Sequence, residues 1–231
     1  METKTLFTTG WEFLKTDLNA TWEEMQAQSE HFAPVELPHD WLIYNTKDLY
    51  EDSCGWYRRL FDWEGKNTGE RIQLRFDGVY MDSTLYVNDR RVGDWKYGYS
   101  TFTMDITDFL TNGENRIMLQ VRHQSPNSRW YSGAGIYRKV WMKVCPAVYL
   151  PLDGTYVTIQ KNNECFLLEA ETEVAGKCGE NMGCRYRLWK DGKVVQELGW
   201  TAAKPCEEKV TAENAAQWET VLPNCKAGIA A

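Results

Sequence analysis

The chain has 231 residues, 43 % of them hydrophobic, which is an ordinary composition for a globular protein with a core. Its 33 acidic side chains outnumber the 26 basic ones for a net charge of −7, and its lysines and arginines form no cluster, so we expect no nucleic-acid partner. No apolar run reaches the roughly 18 residues of a membrane span, and the length is too short for a β/α barrel of about 250 residues beside another domain.

Short strands with alternating polar and apolar residues dominate the first part of the chain, whereas helical periodicity barely appears. The period-two pattern predicts strands at Gly55–Trp63, Arg71–Val79, Ser83–Val87, Ser100–Ile106, Arg116–Arg122 and Lys139–Val144. Asn88-Asp89 and Gly93-Asp94 supply turn chemistry after the third of these, and Asp108–Glu114 is predicted as a corner. This arrangement predicts an all-β domain, either a β-sandwich or a jelly roll.

A domain boundary is predicted at Pro146–Asp153, where prolines separate two sets of strands. The later strands are predicted at Thr155–Gln160, Cys165–Val174, Cys184–Lys190 and Lys193–Leu198, the last two joined by an Asp191-Gly192 hairpin turn. An immunoglobulin-like sandwich needs about seven strands, and this part offers fewer. We therefore expect domains at 1–147 and 152–231, the second truncated, so that the chain stops inside a domain.

The sequence contains no motif for a catalytic nucleophile, a phosphate loop or a metal site, so we predict no catalytic residue, no metal and no cofactor. His31, His39 and His123 lie in separate segments without ligands at metal-binding spacing. The seven cysteines are odd in number and include no CxxC pair. With no export signal at the start of the chain, reduced thiols in a cytoplasmic protein are the simpler interpretation.

The segment Ser128–Arg138 combines aromatic rings, arginines and glycines between two predicted strands. Arg129 and Trp130 could contact a sugar, because a flat ring matches its apolar face and a guanidinium donates to its hydroxyls. They could equally be structural. For the rest of the segment a structural crossover is favoured, and its members are Tyr131, Gly133, Gly135, Tyr137 and Arg138. In that interpretation the glycines permit a tight turn, and Arg138 bonds to carbonyls.

A second candidate is the proline-set loop Leu37-Pro38-His39-Asp40-Trp41. Its Asp40 could accept hydrogen bonds from sugar hydroxyls at the edge of a pocket. The alternative is that Asp40 is a turn or capping residue, since aspartate commonly bonds backbone N–H groups two residues further along.

Seven motifs in order resemble the N-terminal part of glycoside hydrolase family 2, which includes β-galactosidases, β-glucuronidases and β-mannosidases. They are Gly10-Trp11-Glu12-Phe13, Leu37-Pro38-His39-Asp40-Trp41, Gly55-Trp56-Tyr57-Arg58, Phe76-Asp77-Gly78-Val79, Tyr86-Val87-Asn88, Gly113-Glu114-Asn115-Arg116 and Arg129–Arg138. The resemblance implies a galactose-binding-like jelly roll followed by an immunoglobulin-like sandwich. In the family a β/α barrel comes next and carries both catalytic glutamates of a retaining mechanism.

One position departs from the family pattern. Several family members place an aspartate that reaches the sugar hydroxyls nine residues before the arginine matching Arg138, where this chain has Arg129. A hydroxyl-accepting carboxylate is therefore replaced by a donor, and the rim candidates that remain are Asp40, Arg129 and Trp130.

The resemblance implies three alternative functions. The leading hypothesis is the non-catalytic part of a retaining β-glycosidase, which packs on the barrel of the same parent chain and rims its carbohydrate site. The second is a free-standing carbohydrate-binding module, which suits a chain with 11 Trp and 12 Tyr. The third is an assembly element through which the parent forms a homo-oligomer.

Overall fold

The computed structural model describes residues 2–44, 47–65, 69–127, 133–162, 165–176, 183–184, 186–197, 201–202 and 210–211. The chain divides into two compact units, Met1–Pro146 and Ala147–Ala231. Nearly all the regular structure in both is antiparallel β-strand, so the all-β prediction is confirmed.

The first unit contains ten strands, one short helix and two 3-10 turns within its described residues. In chain order they are β1 (Thr3–Leu6), β2 (Trp11–Asp17), α1 (Trp22–Ala27), a 3-10 turn (Ser29–His31), β3 (Ala33–Val35), β4 (Ser53–Trp63), β5 (Arg71–Phe76), β6 (Ser83–Val87), β7 (Arg90–Trp95), β8 (Phe102–Asp105), a 3-10 turn (Thr107–Phe109), β9 (Gly113–His123) and β10 (Val140–Cys145).

These strands form two antiparallel sheets. The larger has the order β3-β2-β4-β9-β6-β7, and the smaller has the order β1-β10-β5-β8. The chain repeatedly changes sheet between consecutive strands, from β4 to β5 to β6 and again from β7 through β8 and β9 to β10. The connections that make these changes lie at the ends of the strands and supply the loops of the candidate site.

The main core lies between the two sheets, as expected for a β-sandwich. The larger sheet contributes Trp11, Tyr57 and Leu119, and the smaller contributes Leu74 and Phe76, all at most 1 % exposed. Residues two apart on one strand point to the same face, which explains why the alternating pattern predicted these strands.

The outer face of the larger sheet is also covered in part, by α1. Met25 of α1 packs with Leu14, Trp56 and Met118 in a second cluster. The helix begins at a capping box, in which the Thr21 hydroxyl accepts from the Glu24 amide (3.2 Å) and the Glu24 carboxylate accepts from the Thr21 amide (2.8 Å).

The six strands predicted for the first unit are all present; Ser83–Val87 matches at both ends, and the ends of the others shift by at most three residues. The turn at Asn88-Asp89 is confirmed, since both residues have positive φ (49° and 64°) and join β6 to β7. The turn predicted at Gly93-Asp94 is wrong, because both residues lie within β7. The register of β6 and β7 slips by one residue beside them, which leaves Val92 as the extra residue of a bulge.

A buried amide network joins that hairpin to β9. The Asn88 side chain donates to the side-chain Oδ1 of Asn115 (2.8 Å) and accepts from the Arg116 amide (2.9 Å). Asn115 is fully buried and donates to the carbonyl oxygens of Thr111 (2.8 Å) and Gly113 (2.8 Å). Two of the seven sequence motifs therefore meet in a structural contact.

The second unit is described over shorter stretches, which contain nine strands. They are β11 (Val148–Tyr149), β12 (Thr155–Asn162), β13 (Cys165–Thr172), β14 (Ala175–Gly176), β15 (Gly183–Cys184), β16 (Arg187–Lys190), β17 (Lys193–Glu197), β18 (Thr201–Ala202) and β19 (Val210–Thr211). The hairpin predicted at Asp191-Gly192 is confirmed, because both residues have positive φ and join β16 to β17. The tail at 224–231, which bears on the truncation prediction, lies outside the described residues.

Candidate functional site

Four connections between strands meet at one end of the first unit's sandwich. We call this region the loop end, and it comprises residues 36–44, 77–82, 96–101 and 133–139. Backbone hydrogen bonds join the connections directly: the His39 amide donates to the Ile136 carbonyl (2.8 Å), and the Tyr80 amide donates to the Gly135 carbonyl (2.9 Å). Loops held by a rigid scaffold commonly carry binding residues, so this end is the candidate site.

Asp40 lies at the centre of the loop end and is half-buried. Its Oδ1 accepts from the Leu42 amide (3.0 Å), which is the turn contact that the sequence offered as an alternative. The same oxygen accepts from the Ala134 amide (3.0 Å), 94 residues further along the chain. The carboxylate therefore joins the two segments that sequence analysis singled out separately as candidates.

His39, beside Asp40, takes part in a buried polar chain. Its Nδ1 lies 2.8 Å from the Tyr57 hydroxyl, which also accepts from the Ile136 amide (3.4 Å). Burial lowers the pKa of His39, against the opposing charge of Asp40, and burial raises the pKa of Tyr57 well above its ordinary value. Both shifts favour the uncharged forms, so this contact joins a neutral ring to a neutral hydroxyl.

Both glycines of the predicted crossover have positive φ, +76° at Gly133 and +134° at Gly135. A Cβ at Gly133 would lie 2.6 Å from Oδ2 of Asp40, and one at Gly135 would lie 2.5 Å from the Tyr57 hydroxyl. The absence of side chains at these two positions lets the crossover approach Asp40 and Tyr57 closely.

Tyr137 and Arg138 complete the described part of the crossover. The Tyr137 hydroxyl donates to the Gly98 carbonyl (2.8 Å), which joins two of the connections. The exposed Arg138 guanidinium lies 5.2 Å from the centre of the Tyr137 ring. Within the described residues we find no hydrogen bond from Arg138 to a carbonyl, and the structural role that the sequence favoured for it stays a prediction.

Three predicted residues, Arg129, Trp130 and Tyr131, lie outside the described residues, so their roles stay predictions. Of the others, the structure brings Asp40 together with Gly133 and Gly135, and Tyr137 and Arg138 lie further along the same crossover.

Sequence analysis missed two exposed tyrosines at the loop end. Tyr97 is 61 % exposed and Tyr99 is 42 % exposed, and their ring centres are 5.7 Å apart. The only sequence signal for them is the recurrence of aromatic residues at every second position from Trp95. That pattern resembles an ordinary strand, and the residues continue β7 past its end.

The loop end presents the groups of a site for polar ligands. No three His, Cys, Asp or Glu side chains lie close enough to hold a metal ion anywhere in the described part of the chain. Nor does any helix there have the length and hydrophobicity to cross a membrane. What the loop end presents is aromatic rings, hydroxyl groups and one central carboxylate, a combination typical of sites for polar small molecules.

Comparison with known proteins identifies relatives of the first unit. The family model described as "Glycosyl hydrolases family 2, sugar binding domain" matches residues 17–146, more than half of the chain. A β-galactosidase of Bacteroides ovatus is 35 % identical over 172 residues, covering 65 % of this chain and 20 % of its own length. A putative β-glucuronidase of Formosa agariphila is 28 % identical over 209 residues, covering 83 % of this chain and 20 % of its own length. The chain thus spans about a fifth of these curated relatives.

Solved structures extend the likeness over most of the chain. A putative β-galactosidase from Bacteroides fragilis superposes with a TM-score of 0.75 over 91 % of this chain and 34 % of the other, at 22 % sequence identity. At this identity the likeness concerns the fold alone, and it supports the β-sandwich architecture described above.

Proposed function

The chain belongs to glycosyl hydrolase family 2, and we propose that it is the non-catalytic sugar-binding region of a retaining β-glycosidase. In this proposal the first unit is the galactose-binding-like jelly roll, and the second is an immunoglobulin-like sandwich. A β/α barrel of the parent protein carries the catalytic carboxylates, and the loop end packs on that barrel and forms part of the rim of its carbohydrate pocket. The named relatives, a β-galactosidase and a putative β-glucuronidase, support this reaction class.

The observation that carries the proposal is the contact between Asp40 and the crossover. The Asp40 carboxylate bonds the Ala134 amide at 3.0 Å, and Gly133 directly follows the segment that contains Arg129 and Trp130. All three rim candidates are therefore either at this contact or within a few residues of it along the chain. Independent sequence signals that converge on one edge of a scaffold favour a shared role in binding.

The contact also suggests different roles for the three rim candidates. Because Oδ1 of Asp40 already accepts two backbone amides, its main role in this proposal is to hold the crossover in place. Direct contact with sugar hydroxyls then falls mainly to Arg129 and Trp130. An arginine at that position donates to the sugar, where the family pattern has an acceptor.

Two further parts of the proposal concern the setting of the parent protein. Cys54 and Cys145 are both buried and free, which supports a reducing compartment such as the cytoplasm. Self-association through this region would add a second copy of the chain as a partner, and sedimentation of the purified chain tests that point. A species that stays monomeric at high concentration would remove the oligomer from the proposal.

The proposal is tested with a chimaera. The segment of the Bacteroides ovatus β-galactosidase that this chain matches is exchanged for residues of this chain, and hydrolysis of 4-nitrophenyl β-galactoside is measured. We expect a folded chimaera that turns over the substrate, and a loss of kcat/KM when Trp130 is replaced by alanine. A folded chimaera without activity would contradict the packing and rim roles.

A further inference from the structure

The exposed tyrosines at the loop end belong to a larger cluster, which we call the tyrosine cluster: Tyr80, Tyr97, Tyr99 and Tyr137. Tyr80 is 3 % exposed and packs edge-on against Tyr99, with ring centres 5.1 Å apart. Tyr99 packs in the same way against Tyr97 at 5.7 Å. The cluster therefore runs from the buried base of the loop end to its surface.

Packing and hydrogen bonds hold the backbone that carries the exposed rings. A Cβ at Gly98 would clash with the Tyr80 ring, so this glycine lies directly against it. The Gly98 carbonyl accepts from the Tyr137 hydroxyl (2.8 Å), and the Tyr80 backbone pairs with Gly135 in both directions (2.8 and 2.9 Å). Rings held in place before a ligand arrives lose little conformational entropy when it binds.

A charged pair adjoins the first exposed ring along the chain, since Lys96 directly precedes Tyr97. The Lys96 ammonium group pairs with the Asp82 carboxylate, and the Lys96 side chain is 72 % exposed. The surface thus combines aromatic faces with hydrogen-bond donors and acceptors. A pyranose ring has the complementary chemistry, because its C–H face is apolar and its edge carries hydroxyls that both donate and accept.

The size of the surface favours a small ligand over a protein partner. A tyrosine side chain buries at most about 150–250 Å² on complete burial, and these two are only about half exposed. Together they offer a few hundred Å², well below the roughly 800 Å² per partner of a stable protein interface.

We propose that Tyr97 and Tyr99 form a contact surface for a β-linked carbohydrate, with a pyranose face against an exposed ring and its hydroxyls bonded to the Lys96–Asp82 pair. This surface lies at the same loop end as the rim residues, and the inference rests on the proposed function: Tyr97 and Tyr99 belong to the part of the loop end that the barrel leaves exposed. Its failure would leave the packing and rim roles intact.

The experiment titrates the 231-residue chain with cellotetraose and with lactose and follows NMR shifts of the tyrosine ring protons. We expect saturable shifts with dissociation constants in the millimolar range, as for ligands held by one or two ring contacts. Tyr97→Ala is expected to weaken binding about tenfold, and Tyr97→Phe, which keeps the ring, to weaken it far less. Tyr50→Ala is the matched control, because Tyr50 is 56 % exposed elsewhere in the same unit.

Three results would overturn the inference. The first is binding by Tyr97→Ala and Tyr99→Ala that equals wild type, and the second is the lack of a saturable shift with either sugar. The third is a dimer in sedimentation velocity that dissociates in Tyr97→Ala, which would assign the surface to a second copy of the chain. Both exposed side chains can be truncated without opening the core, so thermal unfolding of the variants confirms that each remains folded.

Discussion

Replacement of Asp40 by alanine should destabilise the first unit through the loss of two buried hydrogen bonds. The residues that donate them, Leu42 and Ala134, are 1 % and 0 % exposed, so water does not readily replace the lost acceptor. A buried donor left unpaired costs about 1–3 kcal/mol. We therefore expect Asp40→Ala to lower the free energy of unfolding by about 3 kcal/mol.

Asp40→Asn separates the hydrogen bonds from the charge. Asparagine keeps an oxygen at the Oδ1 position, so the loss should stay near 1 kcal/mol, the contribution of the charge to the two bonds. Asp48 provides a matched control: its Oδ1 accepts from the amide two residues on (3.3 Å), but at an exposed turn. Asp48→Ala should cost about 0.5 kcal/mol or less, because water satisfies the freed amide.

The assay is urea unfolding followed by tryptophan fluorescence, with Trp41 buried next to the substituted residue. Equal losses in Asp40→Asn and Asp40→Ala would refute the reasoning, because they would show that the charge, and not the acceptor, holds the crossover. An unchanged Asp40→Ala would refute it as well. In the chimaera, Asp40→Asn that keeps its stability but loses kcat/KM would assign the residue a direct contact with substrate.

Three further substitutions test the account elsewhere in the first unit. Asn115→Ala should cost about 3 kcal/mol in urea unfolding, since it removes every hydrogen bond of a fully buried side chain, and a loss below 1 kcal/mol would contradict the network. Burial lowers the pKa of His39 in the folded protein, so the free energy of unfolding should fall as pH drops from about 6.5 towards that lowered pKa. His39→Gln should flatten this pH dependence, because glutamine does not titrate and still offers a hydrogen-bonding group to Tyr57. Arg59 has a buried, unpaired Nη1 and lies over the Phe7 ring, and burial lowers its pKa to about 10. Arg59→Met should therefore leave the melting temperature unchanged or raise it. A marked decrease in the melting temperature would reveal an unrecognised partner of Arg59.

Sequence periodicity predicted the strands that have one buried face and one face more exposed to solvent. It missed β2, in which Trp11 and Phe13 face the core between the sheets while Leu14 packs under α1. A strand buried on both faces loses the period-two pattern, which is why alternation failed there. β1 was missed for the opposite reason, because Thr3–Leu6 is exposed along its whole length.

The helix α1 is too short for a periodic signal, with six residues and Met25 as its buried one. The local signature that could have found it is the capping box at Thr21 and Glu24, since a hydroxyl residue followed three places later by glutamate marks a helix start.

The candidate site was only partly predictable. Asp40 and the glycines carry recognisable turn chemistry, so sequence could single them out one by one. Their contact depends on the pairing of residues 94 positions apart, which no local pattern encodes. Tyr97 and Tyr99 were missed because exposure is set by where β7 ends, and alternation alone does not show that.

The most direct test of the central claim is hydrolysis by the purified 231-residue chain alone, measured with 4-nitrophenyl β-galactoside and 4-nitrophenyl β-glucuronide at high enzyme concentration. The account expects no release of nitrophenol above the buffer rate, because it assigns the catalytic carboxylates to a barrel of the parent protein. Saturable turnover that copurifies with the chain would contradict the account, since the chain would then carry its own catalytic centre.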